Sequence, residues 1–333
     1  MGSTRMTERG SEHRPGQGAD GCVAAIGVFD GVHRGHQALI GHAREIADRA
    51  GLPLIAVTFD PHPAAVVPGR QAPSMLATVA ERISLLRQAG ADEVVVLDFD
   101  VALASMDARS FAEAVLVDRL AARAVVVGEN FRFGRGAAGD TQALQALGIE
   151  HGFQVSAMPL HPADAPWSSS RVRLALAAGE VAAAAAILGR CYRLSGVVVH
   201  GDHRGRELGY PTANLSWEGS RAIPQDGVYA GWVVPLPSNV PMDRSTAWPA
   251  AISVGTNPQF AGQDRRVEAH VLDRADLDLY GQQVGIDFLD RLRGQETFAS
   301  VDDLIAQMAQ DVGQARALLA DPSVARFSGP SQG

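Results

Sequence analysis

The sequence predicts a parallel α/β domain followed by a small antiparallel β domain that ends in a helix. Three observations carry this reading. From Cys22 to Met158, short apolar runs alternate with helical periodicity, the pattern of a parallel sheet with helices on both faces. After about residue 186, glycine and proline turns separate β-rich segments with no helix between them. The length of 333 residues exceeds one typical domain and is ample for two cores.

The first domain opens with a strand at 23–28 and an amphipathic helix marked by Leu39, Ala43, Ile46 and Ala50. A second strand, Leu54 to Phe59, stops at Asp60-Pro-His-Pro63. Thr78 and Glu81 have capping-box spacing for a helix carrying Ile83, Leu85, Leu86 and Ala89, and Gly90 ends it. The strand Val94–Leu97, a helix around Ser110–Leu120, the strand Ala124–Val127, a loop from Gly128 to Gly139, a helix begun by Asp140 and a strand near Gln154–Met158 complete it. Ligands of such sheets sit beyond the carboxyl ends of the strands. The turn after the first strand, the Asp60–Pro63 turn and the 128–139 loop all lie there. Two alanine-rich helical stretches, 171–178 and 180–188, lead at Gly189 into strands at Arg193–His200, Val228–Val234, Ala250–Val254, Arg266–Leu272 and Val284–Leu289. These fit a small antiparallel barrel or sandwich, closed by an amphipathic helix near 301–319. The domains are therefore read as 21–186 and 187–322, between flexible tails at 1–20 and 323–333, with no internal repeat.

Composition narrows the class. With 46% hydrophobic and 20% charged residues the chain reads as an ordinary globular protein. A formal net charge of −8 argues against a broad nucleic-acid or membrane footprint, which needs a basic face. A local anion site stays open, because glycine turns and helix ends act at short range. Cys22 and Cys191, each alone in an apolar context, form neither a disulfide framework nor a zinc pattern, and a reducing cytoplasm fits. No apolar run reaches the ~18 residues of a membrane span, and residues 1–20 lack the apolar centre of a signal peptide.

Chemistry concentrates first in Ala25-Ile-Gly-Val-Phe-Asp-Gly-Val-His-Arg-Gly-His36, where a strand runs into a turn with Gly27, Gly31 and Gly35. Glycines let backbone N–H groups approach an anion, and His33 and His36 lie one turn apart at the start of the next helix. Two histidines at this spacing also suit a surface position or half a metal site, but no further ligands cluster nearby. The strand, glycines and helix start favour phosphate, and the His-x-Gly-His pattern is similar to that of nucleotidyltransferases. A second constellation, Ser168-Ser-Ser-Arg-Val-Arg173, opens a helix. It reads equally as an N-cap with exposed arginines or as an anion clamp.

Taken together, GVFDGVHRGH, TFDPHP at 58–63, VVGENFRFGRG at 126–136 and SSSRVR at 168–173 resemble the adenylyltransferase module of the bacterial bifunctional riboflavin kinase/FAD synthetase family. Gly205-Arg-Glu-Leu-Gly-Tyr-Pro-Thr-Ala-Asn214, Gly227-Val-Tyr229, Ser253-Val-Gly-Thr-Asn-Pro258, Val267-Glu-Ala-His270 and Asp278-Leu-Tyr-Gly281 resemble its riboflavin kinase module. The resemblance spans roughly residues 22–312. It implies a Rossmann-like nucleotidyltransferase fold beside a kinase barrel, with riboflavin, FMN, FAD and ATP as substrates and products and Mg2+ as the accompanying ion.

Residue by residue, the resemblance implies that His33 and His36 act on ATP phosphates, in a nucleotide site shared with Gly27, Phe29, Asp30, Gly31 and Asn130. It places Ser169, Ser170 and Arg173 on the leaving pyrophosphate. In the second module it implies Gly209, Thr212 and Asn214 for the nucleotide, Thr212 and Asn214 for magnesium, and Glu268 as general base. Read alone, Thr212 and Asn214 also suit a turn after Pro211, and Glu268 an outward residue on an alternating strand. Ser170 stands where many relatives carry threonine, and Val28 where some carry asparagine. The expected activity is phosphorylation of riboflavin and then adenylylation of FMN. The alternatives are a chain with one working module or a flavin-nucleotide-binding protein without turnover. The sequence leaves the oligomeric state open.

Overall fold

A computed structural model describes residues 21–159, 167–201, 210–236, 247–256, 265–274 and 276–321. The predicted tails and Gly209 lie outside these. The chain divides into two units, one of residues 1–73 and 78–167, the other of Ser74–Ala77 with everything from Ser168 onward.

In the first unit every residue of β1 (Cys22–Ile26) is buried, as expected of a central strand covered on both faces. The strands β2 (Leu54–Asp60), β3 (Glu93–Asp98), β4 (Ala122–Gly128) and β5 (Gln154–Met158) join it in a parallel sheet of order β3-β2-β1-β4-β5. The order changes direction between β1 and β4, the switch point where such sheets open a crevice beyond their carboxyl ends. Helix α1 (Arg34–Ala50) follows β1, α2 (Val79–Gln88) precedes β3, and α3 (Thr141–His151) precedes β5. The capping box on α2 is formed: Thr78 N donates to Glu81 Oε2 at 2.6 Å and Glu81 N to Thr78 Oγ1 at 3.2 Å. The helix expected around 110–120 runs as Ala108–Phe111 and then a π-helical stretch, Ala112–Arg119. Ile26, Val57, Leu97, Leu116, Val127 and Leu144 belong to one core cluster with Phe59, Phe111 and Phe133.

The second unit contains the closed antiparallel barrel, of order β10-β7-β6-β11-β8-β9. Its strands are β6 (Tyr192–Val199), β7 (Ala213–Ser216), β8 (Gly227–Pro235), β9 (Trp248–Thr256), β10 (Arg265–Val271) and β11 (Gln283–Arg293). Closure resolves the choice between barrel and sandwich. The strand absent from the sequence reading is β7, whose four residues pair with β6 and β10. Leu194, Tyr229, Val233, Ile252, Val254, Val267, Ile286 and Phe288 are buried here. Also buried is a forked ion pair: Arg193 Nε lies 2.5 Å from Asp287 Oδ1 and Nη2 lies 2.8 Å from Oδ2.

Helices α4 (Ser169–Ala177) and α5 (Val181–Leu188) belong with this barrel by packing, whereas the sequence reading set them in the first domain. The cause is local. Gly189, at φ 75°, turns α5 straight into β6, and α5 buries Val181, Ala184, Ala185, Ile187 and Leu188, packing against β6 and β11. Helix α6 (Val301–Leu319) matches the predicted 301–319, and its Ala315 lies with Ala230 and Leu272.

Candidate active sites

The turn leaving β1 is held in an unusual backbone shape. Phe29, Gly31 and Val32 all have positive φ, at 52°, 79° and 39°. Glycine takes this region without cost, but Phe29 and Val32 are held there by their surroundings, a form of strain that clusters at ligand sites. Phe29 and Val32 are each 1% exposed, Val32 N donates to Phe29 O at 3.1 Å, and Gln37 Nε2 donates to Val32 O at 2.9 Å. Gly27 also has a reason to be glycine: a Cβ there would sit 3.1 Å from the Phe29 ring.

Helix α1 then begins, with His33 as N-cap. Its Nδ1 accepts from His36 N at 3.4 Å, which in the neutral ring leaves the proton on Nε2. The His33 and His36 rings stack at 3.6 Å between centroids, and Phe29 meets His36 edge-on at 5.1 Å. Burial holds the His36 pKa well below the usual 6.5, and the neighbouring His33 adds to the shift. The Nδ1 of His36 is buried without a hydrogen-bond partner. The predicted pair is thus one stacked unit at a helix N-terminus, where N–H groups and the helix dipole favour an anion.

Beneath this turn lies a residue the sequence reading did not single out. Arg82 on α2 is 1% exposed, and its Nη1 donates to Val28 O at 3.1 Å, Thr58 Oγ1 at 3.0 Å and Phe59 O at 2.9 Å. A charged residue beside the apolar stripe of a helix reads as solvated from sequence. No local pattern announces that three acceptors await it.

Asn130 is exposed in the turn after β4, the strand next to β1, and its neighbour Glu129 N donates to Met158 O at 2.8 Å. Phe131 stacks on Phe133 at 5.5 Å, and Gly134, at φ 72°, passes so close to Ala108 that a Cβ would lie 2.7 Å from its N. Ser168 caps α4 by accepting from Arg171 N at 3.3 Å. Ser169 is half-buried, Ser170 exposed, and Arg173 Nε donates to Ser74 O at 2.7 Å. These serines and Arg173 belong to the second unit, and His33, His36 and Asn130 to the first.

The barrel assembles the other predicted set. Along β10, Val267, Ala269 and Val271 are buried while Glu268 and His270 alternate to the opposite face and are half-buried. Glu268 is in register with Asn214 of β7 and with Ser253 of β9. Thr212 Oγ1 reaches Glu268 Oε2 at 3.4 Å, and His270 Nδ1 lies 2.9 Å from Pro211 O. At Gly201 the backbone passes directly over the Asn214 amide, leaving no room for a Cβ. So Thr212, Asn214 and Glu268 do come together, and Asn214 lies in strand β7 rather than in the turn that its sequence alone would also suit. Hydroxyl, amide and carboxylate oxygens are the donors a hard divalent cation takes when phosphates and water complete its shell. Among the described residues, no group of three or more His, Cys, Asp or Glu could hold a metal ion by itself.

A phosphate-seeking turn at a sheet switch point and a carboxylate among neutral oxygen donors on a barrel define a two-module nucleotide-dependent transferase. Residues 17–171 match the FAD synthetase family model and residues 188–319 the riboflavin kinase one. The chain belongs to the bifunctional riboflavin kinase/FMN adenylyltransferase family. It is 38% identical over 298 residues to the Escherichia coli K12 member, covering 89% of this chain and 92% of that one. To the Pseudomonas fluorescens member it is 39% identical over 317 residues, covering 95% and 96%. A solved Streptococcus pneumoniae chain described as a macrolide-efflux protein superposes with a TM-score of 0.78 at 32% identity, covering 89% of this chain and 94% of that one. Efflux is said of that protein. Here, among the described residues, no helix is long and apolar enough to cross a membrane.

Proposed function

We propose that the barrel unit phosphorylates riboflavin through Thr212, Asn214 and Glu268, and that FMN is adenylylated on the turn that holds His33 and His36. In the first step the Glu268 carboxylate accepts the proton of the primary ribityl hydroxyl as its oxygen bonds the γ-phosphorus of ATP, and the bond to the β,γ-bridging oxygen breaks to release ADP. Thr212 and Asn214 would hold magnesium together with ATP phosphates, and Gly209 would serve the nucleotide. When bound, the ion neutralises phosphate charge.

In the second step an FMN phosphate oxygen bonds the α-phosphorus of ATP and pyrophosphate leaves. No protein nucleophile is needed. The work is alignment and charge stabilisation, supplied by N–H groups of the Gly27–Gly31 turn, with Phe29 and Asp30 shaping it, and by the His33 and His36 rings. Asn130 serves the nucleotide, and Ser169, Ser170 and Arg173 take the pyrophosphate. The reading carries a cytoplasmic setting, in keeping with two buried cysteines outside any disulfide.

The observation that supports it most is the meeting of Thr212 with Glu268, 3.4 Å apart, from motifs 56 residues distant in sequence. Purified protein given riboflavin, ATP and magnesium should accumulate FMN and then FAD, with ADP and pyrophosphate released. Stoichiometric flavin binding without ADP would make the chain a carrier instead, and formation of one product alone would leave a single working module.

A further inference from the structure

We infer that Arg82 is a positioning residue for adenylyl transfer, a buried fork that sets the shape of the phosphate turn from below. The inference rests on the adenylyltransferase reading and extends it to a side chain that touches no substrate. One nitrogen, Nη1, ties Val28 O, the last carbonyl before the left-handed Phe29–Val32 turn, to Thr58 Oγ1 and Phe59 O at the carboxyl end of β2. Thr58 Oγ1 itself donates to Val28 O at 2.8 Å, so the hydroxyl and the guanidinium grip the same carbonyl. The second nitrogen, Nη2, lies 3.6 Å from Asp60 Oδ1, and Asp30, 2% exposed, faces the guanidinium electrostatically.

Three features separate this from an ordinary buried ion pair. The contacts at hydrogen-bond distance are two carbonyls and a hydroxyl, with Asp60 farther off at 3.6 Å, so the guanidinium serves first as a brace for backbone rather than as half of a tight ion pair. One carbonyl, Val28 O, belongs to the loop that leaves β1 and the other, Phe59 O, to the last residues of β2, both on the ligand side of the sheet. Burial of an arginine whose Nε has no partner costs stability, which packing alone does not require. The turn needs such a brace, since Phe29 and Val32 do not take positive φ unaided.

The test compares Arg82→Lys, which keeps charge but loses the fork, Arg82→Met, which keeps only the stem, and Thr58→Val, which removes the hydroxyl at constant shape. FMN adenylylation is measured as separate kcat and KM for ATP, and riboflavin phosphorylation by the same molecules reports on intact folding of the barrel. Thermal unfolding of each variant reports on the first unit. Arg82→Lys should lower kcat/KM for FAD formation by about 10²-fold, the cost of a reacting group misplaced by about an ångström, with phosphorylation and unfolding temperature unchanged. Thr58→Val should move the same parameter in the same direction, and the double variant should be no worse than Arg82→Lys alone. Wild-type kcat/KM in Arg82→Lys overturns the inference. So does a loss in all three variants that simply tracks their unfolding temperatures. A wild-type chain that makes FMN but no FAD overturns the adenylyltransferase reading itself, and this role with it.

Discussion

His36 shows how a single packed ring sets pH behaviour. Its folded pKa lies well below 6.5, first because it is buried and then because His33 stacks on it. The unfolded chain therefore binds a proton that the folded chain refuses, and stability is full above about pH 6.5 and falls as pH drops towards the depressed value. One proton gives a slope of at most about 1.4 kcal/mol per pH unit. Urea unfolding at pH 7.5, 6.5 and 5.5 should show that loss, and His36→Gln should flatten it; an unchanged slope would remove His36 from the account. The histidine pair was legible from glycine spacing and chain order. Arg82 was not, because its role depends on carbonyls 23 and 54 residues away, near the carboxyl ends of two strands.

At the scale of elements, the buried Arg193–Asp287 fork joins neighbouring strands β6 and β11, in register at these two residues. Asp287→Ala leaves a buried guanidinium uncompensated and should destabilise that unit by about 3–5 kcal/mol. Denaturant unfolding followed through riboflavin kinase activity measures it. On the exterior, Thr78→Ala removes one half of the capping box and should cost about 1 kcal/mol, together with some FAD synthesis, because the box fixes the start of the helix that carries Arg82. Most strands and helices were readable from periodicity. The missed strand, β7, is four residues long and starts just after Pro211 and Thr212, so it offers too few alternations and too strong a turn signal. Long-range pairing with β6 and β10 makes it a strand. The ends of α4 and α5 were legible within a few residues but their allegiance was not, since an all-round apolar helix such as α5 does not announce which surface it covers.

For the whole molecule, the two motif sets fall largely on separate folds, so the activities should separate by mutation. Glu268→Ala should abolish FMN formation from riboflavin while FMN supplied directly is still converted to FAD. Loss of both activities in a folded variant would count against separate sites. Thiol chemistry should be silent in the native state: burial, with Glu93 adding to it, pushes the Cys22 thiol up to about 12, and its Sγ donates to Leu120 O at 3.2 Å. Labelling by a thiol reagent at neutral pH should therefore appear only on unfolding.

The barrel closes on itself and offers no free strand edge, whereas the parallel sheet ends at β3 and β5. The outer strand β3 carries Glu93 and Asp98 at its two ends, charges that repel a second copy approaching edge to edge. At the other border, β5 reads Gln-Val-Ser-Ala-Met and carries no charge. During refolding at high concentration, the self-association hazard of this enzyme is therefore a sticky uncharged border on the adenylyltransferase side, and Gln154→Lys, at the exposed residue of β5, is the substitution that would blunt it.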